Sequence, residues 1–373
     1  MNLHKSVLSV LIVLLGLLTV SNAQATAQKR VLMVLSGYGQ EQGSVQPGYE
    51  FDEFSKAYLV FNQNGLTVDI ASPQGGEVEA DKYDPEKPYN ALVLKDAEIM
   101  AKLDDTLALS TLQAQRYDAI FIVGGKGAMF DLPKDQNLQS LIADIYQQQG
   151  VVAAVCHGPA ALVDVKLANG KYLVANKAVN GFTNQEEQLF GKKWLPEFEF
   201  LLQDKLIERG GKFQSADIML NHVAVDERLI TGQNPSSTIS VAQELVKALG
   251  IAPTPMQSFR DDRTLDLVAK FLAGDSEALQ VLASDEAYYH LPLAGMYGYY
   301  YQALAETDSQ LHNSLKLMQV AQKVIANPQL DMQIAQTQHK LGDNQAALTT
   351  LHAILATNPE FEPAKALVKT LTL

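Results

Sequence analysis

From residue 29 to about residue 251 the chain alternates two patterns of apolar positions. Short runs that are apolar throughout, "RVLMVLS", "LTVDIAS", "YDAIFIVGG" and "GVVAAV", predict buried strands. Between them, Glu53 to Asn64 and Asn137 to Gln149 carry apolar residues at helical spacing. Further on, "NKAVNGF" and "ERLITG" predict strands, and "EFEFLLQDKLIERG" and "STISVAQELVKALG" predict helices. The alternation predicts an α/β domain with a doubly wound, mostly parallel sheet covered on both faces. The stretch Tyr83 to Leu112 is longer than an ordinary connection, and insertions of this kind often cap a site.

After "GIAPTP" the pattern changes. Residues 257–373 hold no convincing strand and read as a small all-α domain rich in Ala, Leu and Gln. "HKLGDNQAALTTLHAILATNPEFEPAKAL" reads as helix, Gly-Asp turn, helix and Asn-Pro stop. Gly342 and Asp343 would form the turn, Ala347, Leu348 and Leu355 the packed face, and Pro359 the end. That is tetratricopeptide-like, though one unit alone matches well and a plain helical bundle is the other reading. Helices of this kind would suit a protein partner or self-association.

Residues 1–23 form a charged start, an apolar stretch and small residues, the pattern of a secretory signal peptide cleaved after Ala23 or Ala25. It predicts export, to the periplasm in a Gram-negative cell, with no membrane anchor after cleavage. A net charge of −13 argues against nucleic acid and anionic membranes as partners. The chain has one cysteine, so Cys156 cannot form an internal disulfide. Burial as a passenger would suit its residue type. Its neighbours point elsewhere.

In "VVAAVCHGPA" a strand stops at Cys156, followed by His157, Gly158 and Pro159. A strand that turns sharply into a helix at a nucleophile is an elbow: glycine allows close approach, and proline suits the first helical turn. The helix N–H groups and an adjacent imidazole would favour thiolate, so the elbow predicts an acidic thiol. "VGGKGAMFDLP" follows the neighbouring strand, at the sheet end where ligands bind. There Gly125, with the backbone N–H of His157, would form an oxyanion hole. No cluster has metal-ligand spacing, and no cofactor is predicted.

"AVCHGPAAL" and "VGGKGAMFDLP", with "GYEFDEFSKAYLVFNQNGLTVDIASP", "NGFTNQEEQLFG" and "DERLITGQNPSST", resemble the ThiJ/PfpI superfamily, whose fold is that of class I glutamine-amidotransferase domains. The resemblance spans about Val31 to Leu249 and is strongest to the branch of glutathione-independent glyoxalases and heat-shock holding chaperones. It implies Cys156 as nucleophile, His157 beside it, Glu53 as acid/base and Glu187 as the acid that orients the histidine. A one-residue slip would exchange Glu187 for Glu186. Lys126 stands where this branch has histidine, so the pocket rim differs. His222, in "LNHVAVDERL", is a candidate to line the site, with simple packing as the rival reading. The implied reaction converts a small dicarbonyl such as methylglyoxal to lactate without cofactor. A holding chaperone or thiol redox sensor, and a cysteine amidase or peptidase, are the alternatives.

Overall fold

A computed structural model describes residues 28–256 and 258–372; the apolar leader and its cleavage site lie outside the described residues. Among the described residues nine strands are formed: β1 (Arg30–Val34), β2 (Thr67–Ser72), β3 (Leu107–Ala108), β4 (Ala119–Ile122), β5 (Val151–Val155), β6 (Ala178–Val179), β7 (Lys212–Phe213), β8 (Val223–Asp226) and β9 (Leu229–Gly232). Seven of them make one sheet in the order β3-β2-β1-β4-β5-β9-β8, parallel except for β8 against β9. The order reverses between β1 and β4, which places the switch point at the carboxyl ends of β1, β4 and β5.

The principal helices of this half are α1 (Phe51–Gln63), α2 (Pro88–Val93), α3 (Ala97–Asp104), α4 (Gln136–Gln147), α5 (Asn184–Phe190), α6 (Leu202–Glu208) and α7 (Thr238–Ala248). Right-handed crossovers running in opposite directions from the switch point put α1 and α4 on opposite faces. Every residue of β4 and β5 is buried, which is why both read as uninterrupted apolar runs. Asp135 caps α4 by accepting the Leu138 N–H, and Thr183 opens α5 in a capping box with Glu186.

Away from Cys156, two predicted elements differ. β6, from "NKAVNGF", pairs with β7 in a separate ribbon rather than joining the main sheet. The N–H groups of Ala178, its first residue, and Asn180, just beyond it, donate to side chains of β8 and β9, Asp226 and Thr231. The helix predicted in "EFEFLLQDKLIERG" forms only from Leu202, because Phe198 turns inward to pack against Phe130.

Beyond α7 the described residues form helices alone: α8 (Arg260–Leu272), α9 (Ser276–Ser284), α10 (Leu291–Ala303), α11 (Asp308–Gln322), α12 (Pro328–Lys340), α13 (Asn344–Thr357) and α14 (Glu362–Leu371). Gly342, at φ +81°, makes the turn between α12 and α13, and Asp343 caps α13. Among the described residues no helix is long and apolar enough to cross a membrane.

Candidate active site

β5 ends at Val155, and Cys156 adopts φ +60°, a left-handed conformation that costs a non-glycine residue about 1 kcal/mol or more. The surroundings hold it there. Cys156 N–H donates to Gly232 O of β9 at 2.9 Å, and its carbonyl accepts from Phe182 N at 2.8 Å. At Gly158 a Cβ would lie 2.5 Å from the Ile122 carbonyl, so only glycine lets the turn run against β4. Pro159 sits in the first turn of the next element, where its missing N–H is not needed. Where the elbow predicts a helix, that element is a short 3₁₀ helix, Gly158–Leu162, so less dipole is aimed at the sulfur than an α-helix would supply.

Four side chains meet at this elbow, and all are buried. Cys156 Sγ is 3.4 Å from His157 Nδ1, and His157 Nε2 is 2.7 Å from Glu187 Oε1. A carboxylate on Nε2 fixes the N–H there and leaves Nδ1 as the acceptor facing the thiol. The ring is held from the sides by Phe182, 4.4 Å away between centroids, and Phe198, 6.1 Å away. Glu53 arrives from the first turn of α1 with no exposed surface. Its Oε2 accepts the Gly124 N–H at 2.7 Å, while Oε1 is buried without a hydrogen-bond partner among the described residues. A Cβ at Gly124 would sit 2.7 Å from Glu53 Oε2 and 2.8 Å from Cys156 Cβ, so acid and nucleophile crowd one spot that glycine leaves open.

Burial, and then the charge of Glu50, hold the Glu53 carboxyl well above the usual range. Burial, and then Glu53 itself, push the Cys156 thiol up. The dry surroundings therefore oppose the acidic thiol that the elbow predicts. Both shifts belong to one pair that tolerates a single negative charge but not two.

Glu186 and Glu187 part company. Glu186 Oε2 accepts from Thr183 N and Oγ1, and Oε1 accepts from Met219 N, Gln233 Nε2 and Asn234 Nδ2. It ties α5 to the loops around β8 and β9. Glu187, one residue on, is the one seated on His157.

Gly125 has φ +95°, and its missing side chain lets the backbone press on Gly48 and Glu50. The N–H groups of Gly125 and His157 donate to no backbone acceptor among the described residues. Lys126 is half-buried, makes no ion pair among the described residues, and its charge stabilises the ionised forms of Glu50 and Asp81. His222 has no hydrogen bond to the Cys156, His157 or Glu53 side chains. Its carbonyl accepts from Asn180 and Gln233, its Nε2 is buried without a partner among the described residues, and desolvation lowers its pKa.

Several participants carry no sequence signal of their own. Asp52, beside Glu53, accepts from Lys87 at 2.6 Å, Tyr89 at 3.0 Å and Asn90 at 2.6 Å, so the long insertion grips the first turn of α1. Tyr83 stacks on Phe51 at 4.0 Å to the same effect. Glu50, which caps α1 at its backbone, carries a carboxyl raised to about 7 by burial and by Asp52 and Asp81. For these acids the Glu50-Asp52-Glu53 spacing is the one available hint.

Residues 44–248 match the model of the DJ-1/PfpI family. Among curated proteins, a glutathione-independent glyoxalase of Schizosaccharomyces pombe is 33% identical over 246 residues, covering 59% of this chain and 96% of that protein. The Saccharomyces cerevisiae glutathione-independent glyoxalase HSP31 is 30% identical, covering 60% and 99%. Among solved structures, glyoxalase III of Candida albicans superposes with a TM-score of 0.55 at 25% identity, covering 59% and 97%. The Francisella tularensis Rapid Encystment Protein of 24 kDa gives 0.56 at 34%, covering 60% and 99%.

Proposed function

We propose, from the premise that this chain belongs to the DJ-1/PfpI family, that it is a glutathione-independent glyoxalase converting methylglyoxal, or a dicarbonyl of similar size, to a hydroxy acid. The observation that carries this reading is the convergence of Glu53 and the His157–Glu187 pair on a strained, buried Cys156. Exposures of 4% for Cys156 and 2% for His157 favour a small substrate over a peptide or protein chain.

His157 takes the thiol proton, and the Cys156 thiolate adds to the aldehyde carbon, giving a hemithioacetal. The oxygen that gains charge is met by the N–H groups of Gly125 and His157. Glu53 removes the proton from the former aldehyde carbon and returns it to the neighbouring carbon through an enediol. This leaves a lactoyl thioester on the cysteine. Water then cleaves the thioester, releasing lactate and restoring the thiol. A carboxyl held well above its usual range suits both directions of that transfer near neutral pH. Lys126 at the rim is assigned to substrate choice rather than to the chemistry.

Lactate formation from methylglyoxal by the purified full chain tests the reading. Cys156→Ala and Glu53→Gln are each expected to lose turnover by a factor of about 10³ or more with cooperative melting retained. Wild-type rates in either variant overturn it.

A further inference from the structure

The relatives are accounted for almost end to end by 59–60% of this chain, so the helical region is an addition to them. It is not attached at random. Its contacts with the α/β domain include α1 and α5, the two helices that carry Glu53 and Glu187.

On α1, Lys56 lies one turn beyond Glu53, and its Nζ is 2.6 Å from Asp262 Oδ1 of α8, with side-chain exposures of 7% and 14%. The same ammonium stands 4.8 Å above the Tyr89 ring, and Tyr89 packs edge-on against Phe259 at the start of α8. Tyr89 also holds Asp52, next to Glu53. On α5, Phe190 packs edge-on against Tyr300 of α10 at 4.8 Å. Ile218 and Leu220, from the loop that also binds Glu186, share one apolar cluster with Val268 and Phe271 of α8 and Tyr297 of α10. A buried charge pair is directional and is costly to break from one side, which makes it suited to fixing a position.

We propose that Lys56 and Asp262 are positioning residues through which the helical region braces α1, as Phe190 and Tyr300 brace α5, so that Glu53 and Glu187 stay on Cys156 and His157. Its turnover arm rests on the glyoxalase reading. Its second arm, the reactivity of Cys156, needs no substrate.

The test uses the full chain. Asp262→Lys places two ammonium groups face to face. Lys56→Met/Asp262→Leu removes both charges and keeps the packing. Tyr300→Ala loosens the α5 contact, and Asp262→Asn is the milder lesion to use if Asp262→Lys does not melt cooperatively. Measured are kcat and KM with methylglyoxal, the rate of Cys156 alkylation by iodoacetamide across pH, and proteolysis of the connection between α7 and α8.

Asp262→Lys, and to a smaller degree Tyr300→Ala, should open that connection to protease. They should also move the Cys156 alkylation midpoint by about half a pH unit or more toward the ordinary thiol value. In the same variants kcat should fall about tenfold with KM changed by less than about threefold. The apolar double variant should restore all three. An unmoved alkylation profile in a well-folded Asp262→Lys or Asp262→Asn protein overturns the brace. If the connection has opened, the acids do not need it; if it stays closed, the pair does not hold it. Should the wild-type protein lack turnover while the alkylation midpoint still shifts, the brace stands and the glyoxalase reading falls.

Discussion

Two adjacent acids in "NQEEQ" do different work because of where one peptide step along α5 points them. Glu186 accepts five hydrogen bonds from Thr183, Met219, Gln233 and Asn234, and its loss leaves several buried donors unpaired. Glu186→Ala should therefore cost about 2–3 kcal/mol in urea unfolding. Glu187→Gln keeps a polar group beside His157 and should shift stability by less than about 1 kcal/mol while lowering kcat about a hundredfold. Equal stability losses in the two variants would sink the distinction. A second contrast separates thiol acidity from turnover. The charge of Glu53 is a leading cause of the upward shift of Cys156, so Glu53→Gln should lower the pH midpoint of Cys156 alkylation while abolishing lactate formation. A midpoint that rises in this variant would show that the neutral carboxyl stabilises the thiolate more than its charge opposes it.

The elbow is an element whose logic shows in the residues themselves. A run of small and β-branched residues ending at "CHGP" announces the strand, the turn and the glycine that must lie against β4. The segment after the elbow is less legible, because a proline and a run of small residues are compatible with a longer helix as well as with the 3₁₀ turn observed. The aromatic walls are not legible at all. Phe182 ends the predicted strand "NKAVNGF" and Phe198 opens the predicted helix "EFEFLLQDKLIERG", but both lie outside the regular elements that form, and neither pattern shows that its phenylalanine faces a histidine far back along the chain. Gly124 offers a sharp test of the strand-end geometry. A methyl there would wedge between Glu53 Oε2 and Cys156 Cβ, with the Val155 carbonyl also at 2.7 Å. Gly124→Ala should cost about 1–3 kcal/mol of stability and at least about a hundredfold in kcat. Retained turnover would mean that the acid and the nucleophile need not crowd this spot.

Across the molecule, the division into an α/β half and a helical half shows in the change of apolar pattern, but the way the halves meet does not. Lys56 and Asp262 are 206 residues apart, and no local pattern marks a lysine that will be buried by a distant aspartate. The same holds for the acids gathered at the α1 terminus, whose consequence is a stability that depends on pH. Glu50 is raised from an ordinary 4.5 to about 7, chiefly by burial and then by Asp52 and Asp81, with Lys126 and Lys87 opposing. Glu53 moves in the same direction. Below pH 4.5 Glu50 is protonated in the folded and unfolded chains alike and contributes no difference. Between 4.5 and about 7 the unfolded chain releases the Glu50 proton while the native one keeps it, so stability falls as pH rises through that window and the Glu50 contribution levels off above it. Glu50 is half-buried by its surface, and it accounts for about 2 kcal/mol of this loss once that exposure is discounted. Urea unfolding of Glu50→Gln from pH 4 to 8 should therefore show a shallower decline than the wild-type protein, with the two curves closest at the acid end if the glutamine packs without strain. A wild-type stability that rises between pH 5 and 7 by the amount Glu50 is expected to remove would show that the cations around α1 outweigh burial.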